Sequence, residues 1–171
     1  MIDTITRYLA GVASERDRAN LRAILAPLAD RFSSQMLSNS TLVIGTAPNT
    51  VPKTGAAISY GVAKGVGIQV AAGTHMPALV GTVLDDLFNV YAFFIDSASV
   101  VTSAMGTAGA TWAAVKFPPF PENKTLLGFV RVNPTGTGPF VGGTTALDDA
   151  TVAPNAVYFS PVGPFDPSVL L

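Results

Sequence analysis

The chain has 171 residues, a formal net charge of −1 and apolar residues at 49% of its positions, so it is long enough to bury a core. Charged residues make up only 12% of the chain, about half of the roughly 25% found in typical soluble domains. The near-neutral charge argues against nucleic acid as a partner, and the lack of cysteine excludes disulfides, thiolate catalysis and cysteine metal sites. So few charges suit a surface that is buried against copies of the chain or a larger partner.

The charges are concentrated near the N-terminus, where nine lie in the first 31 residues and only twelve in the remaining 140. The two parts also differ in their apolar spacing. The sequence therefore predicts a mainly β protein, in which a helical arm over residues 1–40 precedes a β-sandwich or barrel domain over residues 41–171.

The arm is predicted to be helical because its apolar residues recur at steps of three and four. Those in its first half are Ile2, Ile5, Tyr8, Leu9 and Val12, and those in its second half are Leu21, Ile24, Leu25, Leu28, Phe32 and Met36. Pro27 lacks a backbone N–H, so a kink or a restart of the helix is expected there.

Two interpretations of this amphipathic arm remain open. It packs on its own body, or it mediates assembly by bundling with copies of itself or docking on a partner. The low charge of the body favours assembly. The candidate interface residues are then Ile5, Tyr8, Leu9, Val12, Leu21, Ile24, Leu28 and Phe32. The polar face mixes arginine with acidic residues, which argues against a membrane-surface helix.

The second part consists of short β-rich segments separated by Gly- and Pro-containing turns, which is typical of a sandwich or barrel. The predicted strands cover residues 41–45, 57–62, 66–70, 89–95, 99–103, 111–117, 126–132 and 156–162. In the segment 126–132, alternation predicts Leu127, Phe129 and Arg131 on one face. Trp112 and Phe129 are predicted to be core residues rather than ligand-stacking ones.

Catalytic and metal-binding patterns are missing from the sequence. His75 is the single histidine, and no serine lies in a G-x-S-x-G turn. The pairs Asp85-Asp86 and Asp148-Asp149 lack calcium-loop spacing, and residues 142–145 lack the lysine of a phosphate loop. We therefore predict no enzymatic activity, no cofactor and no metal. The stretch FVGGTTALDDATV (140–152) is predicted to be a structural loop.

Four stretches in the β part are more distinctive than an ordinary β-rich sequence. They are VYAFFID (90–96), FPPFPENKTLLGFVRV (117–132), FVGGTTALDD (140–149) and VYF (157–159), with AISY (57–60) upstream. Their order resembles that in a group of tailed-bacteriophage virion structural proteins, including capsid decoration and head-fibre proteins. The resemblance covers roughly residues 56–163 and consists of turn and core residues.

The resemblance implies a non-enzymatic capsid decoration (cement) protein that binds and stabilises the head shell. It further implies a homotrimer, the major capsid protein as partner, synthesis in the host cytoplasm and a final location on the capsid surface of the virion. The alternative is a head or tail fibre module whose β domain contacts a host-surface glycan. Outward aromatic and aspartate side chains in one groove would favour that alternative.

Overall fold

The computed structural model describes residues 15–135 and 137–165, and within them the protein is mainly β, as the sequence predicts. The first element in the described residues is the helix α1 (Glu15–Ser33). The strands that follow are β1 (Gln35–Met36), β2 (Val43–Ile44), β3 (Pro52–Lys53), β4 (Ser59–Ala63), β5 (Val66–Val70), β6 (Thr82–Val83), β7 (Asn89–Ile95), β8 (Val101–Met105), β9 (Thr125–Val132), β10 (Phe140–Val141) and β11 (Val157–Phe159). A 3-10 helix (Trp112–Ala114) lies between β8 and β9.

Helix α1 runs through Pro27 without interruption, so the alternative of a restart there is wrong. A proline inside a helix removes one hydrogen bond, at a cost of roughly 3 kcal/mol. Ala23, whose carbonyl loses that bond, is exposed, so water can supply the missing partner. Strand β1 falls within the range predicted as arm and pairs with β4 of the body.

All strand pairs are antiparallel. The largest sheet has the strand order β11-β9-β7-β8, and a three-stranded sheet has the order β1-β4-β5. Two small pairs, β10-β6 and β2-β3, complete the set. Among the described residues no sheet closes into a barrel, and the arrangement is consistent with a sandwich.

The hairpin between β4 and β5 turns at Lys64 and Gly65, where both φ angles are positive, at 52° and 76°. Two-residue hairpin loops favour this conformation because its twist matches that of the strands, and glycine adopts it without strain. The Gly-containing turn predicted between the strands 57–62 and 66–70, at residues 63–65, is therefore confirmed.

Strand β7 is buried on both faces and forms the centre of the protein. Tyr91, Phe93 and Ile95 point into a core shared with residues of the three-stranded sheet, among them Ile68 and Val70. The alternate residues Val90, Ala92 and Phe94 point into a second core. That second core is closed by aromatic side chains from the loop before β9, Phe117 and Phe120, and from the segment after β11, Phe165. The four-stranded sheet is therefore covered on both sides.

The predicted alternation in β9 is wrong at one position because the strand contains a β-bulge. Phe93 pairs with Gly128 and Phe94 with Leu126, so Leu127 is the extra residue. Leu127 therefore joins the first core, whereas Phe129 lies in the second. The prediction that Phe129 is a core residue is confirmed.

The strand predicted at residues 111–117 is a 3-10 turn instead. The N–H of Ala114 bonds the carbonyl of Thr111 at 3.0 Å. Trp112 is partly buried against the second core and meets Phe88 edge-on, with ring centroids 4.8 Å apart. The sequence of this segment is β-rich, but the segment lies outside the sheet, and its Trp112 side chain packs against the second core.

Candidate assembly surface

Helix α1 is attached to the body at its C-terminal end. The carbonyl of Ser33 accepts a hydrogen bond from the N–H of Gly65 at 2.9 Å. The hydroxyl of Ser34 accepts one from Lys64 at 3.0 Å, and the carboxylate of Asp30 accepts one from the N–H of Asn123 at 3.4 Å. Within the described part of the chain, no strand packs along the helix. These contacts of the helix with the body lie in its C-terminal half, against the loop before β9 and the turn after β4.

A stripe of large apolar side chains follows this helix and is open to solvent. Ile24 is 69% exposed, Leu28 51% and Phe32 58%. These residues are four apart, so they lie above one another on one face. Leu21 and Leu25 are half-buried and belong to the same face by spacing. We call these five residues the α1 stripe.

The α1 stripe contains four of the eight predicted interface residues, Leu21, Ile24, Leu28 and Phe32. The other four, Ile5, Tyr8, Leu9 and Val12, lie outside the described residues. Burying apolar surface stabilises a protein by about 25 cal/mol per square ångström, and an apolar stripe left in water lacks this stabilisation. Among the described residues, the body does not cover it.

Exposed apolar side chains also lie on the body. Leu37, directly after β1, is 57% exposed, and its N–H bonds the carbonyl of Tyr60 at 2.9 Å. Tyr60 is itself 51% exposed on β4. We call Leu37, Tyr60 and the exposed Ile58 the body patch. Sequence reasoning missed this patch, although the alternation of buried and exposed residues along β4 is a signal for an outward Tyr60.

A cleft of about 460 Å³ lies beside the helix, where α1 meets the proline-rich loop before β9. Its lining combines an aromatic ring with acidic and amide side chains: Ala26, Pro27, Asp30, Phe120, Glu122 and Asn123. Phe120 is only partly exposed, because it stacks on Phe117 with ring centroids 5.7 Å apart and meets Phe94 edge-on.

The stretch FVGGTTALDDATV forms a hydrogen-bonded loop. The carbonyl of Val141 accepts a bond from the N–H of Thr145 at 2.8 Å, and the N–H of Gly142 bonds the carbonyl of Gly81 at 2.9 Å. A side chain at Gly142 would lie 2.9 Å from the backbone of Leu79, so glycine permits this close approach.

The two aspartates of this loop bond neighbouring groups rather than each other. The Oδ1 atom of Asp149 accepts bonds from the N–H groups of Val152 and Thr151, and these bonds lower the pKa of that carboxyl. The Oδ1 atom of Asp148 accepts a bond from the amide of Asn49 at 2.9 Å. The bonds of Asp149 are the Asx-type turn chemistry expected from the sequence, whereas Asp148 bonds the side chain of a residue that is distant in the chain.

Other candidate reactive groups are dispersed. His75 is exposed and forms an isolated β-bridge with Lys53. In residues 15–135 and 137–165, no cluster of three or more His, Cys, Asp or Glu side chains could hold a metal ion. No helix in the same residues is long and apolar enough to cross a membrane.

Comparison with known proteins gives no relative: no family model, no curated protein and no solved structure matches the chain.

Proposed function

We propose that this protein is a non-enzymatic structural component of a tailed-bacteriophage particle, of the capsid decoration (cement) type. The observation that carries the proposal is the exposed α1 stripe on a helix that is attached to a charge-poor β body. An exposed apolar surface of this kind marks a site of protein association. The resemblance of residues 56–163 to phage virion proteins gives the class of assembly.

The residues that carry the resemblance have structural roles, which supports binding rather than chemistry. Pro118 is buried and Phe129 lies in the second core. The backbone of Gly128 passes close to β11, since a Cβ there would lie 2.6 Å from the carbonyl oxygen of Phe159. These residues fix how the strands and loops pack, and a rigid sandwich is a suitable platform for a fixed contact on a shell.

In this proposal the helix joins copies of the protein, and the β body contacts the major capsid protein across neighbouring capsomers. Binding across capsomers stabilises the shell because every contact made only in the assembled state adds to its stability. The resemblance implies that the assembled unit is a homotrimer on the capsid surface, made in the host cytoplasm.

The test is binding to shells of the phage that carries this sequence. The purified protein is mixed with undecorated shells, the shells are sedimented and the particle is imaged by electron cryo-microscopy. We expect density for the protein at every local symmetry position of the head. Density at a single vertex or on the tail, or no cosedimentation at all, would contradict the decoration role.

The second candidate is a head or tail fibre module that contacts a host-surface glycan, and the cleft beside α1 favours it. Carboxylates accept hydrogen bonds from sugar hydroxyls, and an aromatic ring packs on the apolar face of a sugar. Asp30, Glu122 and Phe120 provide these groups in one groove. A screen of surface glycans of the host tests this candidate. Binding that is lost in Glu122→Ala but kept in Asp85→Ala, a change outside the cleft, would support it.

A further inference from the structure

We infer that α1 associates with α1 of other copies of this chain in a parallel bundle whose seam is Leu21, Leu25, Leu28 and Phe32. This inference deepens the self-association in the proposed function, because it names the partner segment and its direction. It concerns the isolated protein and is measured without shells.

The spacing of the α1 stripe fits a helical bundle. At about 100° per residue, its five side chains fall within an arc of about 100° on the helix surface. The seam residues follow one another at steps of four, three and four, which is the alternation of the two core positions in a coiled coil. Ile24 flanks this seam and is the most exposed residue of the stripe.

The size of the apolar surface favours a parallel arrangement. Three side chains that are half to two-thirds exposed offer roughly 300 Å² on each helix, judged from the area that large side chains bury. A stable interface buries about 800 Å² on each partner, so the helix alone is not enough. The body patch, with Leu37 and Tyr60, begins at Leu37, only four residues after the C-terminal end of α1. Parallel helices bring the body patches of two copies to the same end and add their area.

An antiparallel pair of α1 helices would not bring the body patches of two copies together. Helix α1 is about 28 Å long at 1.5 Å per residue, and the body lies at its C-terminal end. Antiparallel helices would place the two body patches at opposite ends of the pair, about that distance apart. The contact between bodies would then be lost.

Two charged residues beside the seam fit the parallel direction. When Leu21, Leu25, Leu28 and Phe32 occupy the core positions, Asp17 and Arg22 occupy the two flanking positions, five residues apart. In a parallel coiled coil these flanking positions of neighbouring helices face each other. Opposite charges there add to partner choice and direction, although exposed pairs contribute little to stability.

The absence of cysteine makes a direct test possible, because a single introduced cysteine is a unique probe. Leu28→Cys places a thiol near the middle of the stripe, and residue 28 meets residue 28 of the neighbouring copy when the helices are parallel. Ala23→Cys is the matched control. It is also exposed, but it lies about 150° around the helix from the middle of the stripe.

Under mild oxidation we expect Leu28→Cys to form an interprotomer disulfide that a non-reducing gel resolves, while Ala23→Cys stays unlinked at the same concentration. Linkage in a mixture of Leu21→Cys and Phe32→Cys, with neither variant linking alone, would show antiparallel helices and overturn the inference, because an antiparallel alignment of this seam places residue 21 opposite residue 32. Equal linkage of Leu28→Cys and Ala23→Cys would also overturn it, since collisions alone would then explain the result.

A second pair of variants tests the stripe without a disulfide. Leu28→Asp puts a charge in the seam, and Ala23→Asp puts the same charge on the opposite face. Light scattering should give the subunit mass for Leu28→Asp and the oligomer mass for Ala23→Asp. Both exposed sites leave the fold intact, which circular dichroism checks. Oligomers of the same mass from both variants would overturn the inference.

The bundle and the decoration role can fail separately. Leu28→Cys that crosslinks in solution but does not bind shells would leave the bundle in place and remove the decoration role. If the protein binds shells but its Leu28→Cys variant stays unlinked, the decoration role is kept and the parallel bundle is ruled out.

Discussion

Gly128, the single glycine of β9, is tightly packed, and replacing it with alanine should destabilise the protein strongly. A Cβ there would lie 2.4 Å from Cδ1 of Leu42 and 2.6 Å from the carbonyl oxygen of Phe159. Both distances are far below van der Waals contact. The Leu42 side chain can rotate away, but the second atom belongs to the backbone of β11, which pairs with β9 through Phe159 and Phe129.

The size of the effect follows from this geometry. Overpacking a core costs typically 1–3 kcal/mol, and we expect about 3 kcal/mol here because a paired strand must move. For a domain of this size, that free energy corresponds to a fall in Tm of about 6–12 °C. Gly67→Ala is the matched control. Gly67 is an exposed strand glycine at which a Cβ would meet nothing within 4 Å. We expect it to leave stability unchanged or raise it by up to about 1 kcal/mol.

Urea unfolding followed by the fluorescence of the single tryptophan, Trp112, measures both variants. Trp112 stacks on the guanidinium of Arg131, whose Cζ lies 3.7 Å from the ring centroid, so its emission reports the packing of the second core. The protein concentration is kept constant, because association adds to apparent stability. If Gly128→Ala and Gly67→Ala unfold at the same urea concentration, the argument from close packing at Gly128 is refuted.

Three further predictions concern ionisation and metal. The backbone N–H of Val100 lowers the pKa of Asp96, and the backbone N–H of Val152 lowers that of Asp149. The two carboxylates therefore contribute stability above the usual pKa of 3.8, and this contribution is lost as the pH falls below it. Acid unfolding of Asp96→Asn should accordingly show a weaker pH dependence than that of the wild type. Burial raises the pKa of Tyr91 and of Tyr158 to about 12, so an ultraviolet titration should show these two tyrosines ionising only near that pH. Their contribution to stability should be lost as the pH rises through this value, and ionisation of Tyr91 and Tyr158 near pH 10 would contradict the prediction. Thermal melts with EDTA and with millimolar calcium should coincide, because the aspartates of the 140–152 loop already bond backbone and side-chain groups of the protein. A large rise in Tm with calcium would instead show a calcium site in this loop.

The sequence by itself determined the elements whose signal is local. Apolar spacing predicted a helix over the second half of the arm, and the aromatic, β-rich segment 89–95 predicted β7 with its correct bounds. The turn at residues 63–65 was predictable because glycine adopts positive φ without strain. The loop at 140–152 was predictable as a turn because its short polar side chains bond nearby backbone.

The tertiary structure decided everything that depends on contacts between distant segments. Strands β1, β3, β6 and β10 have two residues each, so they carry no readable alternation and exist only through their partners. The bulge at Leu127 arises from pairing with β7, and the 3-10 turn at Trp112 from packing on Phe88. For the candidate surface, spacing identified the α1 stripe, but only the fold left its face uncovered by the described body and put the body patch at its end. The reason is that periodicity tells which residues share a face, whereas exposure depends on what the rest of the chain places against that face.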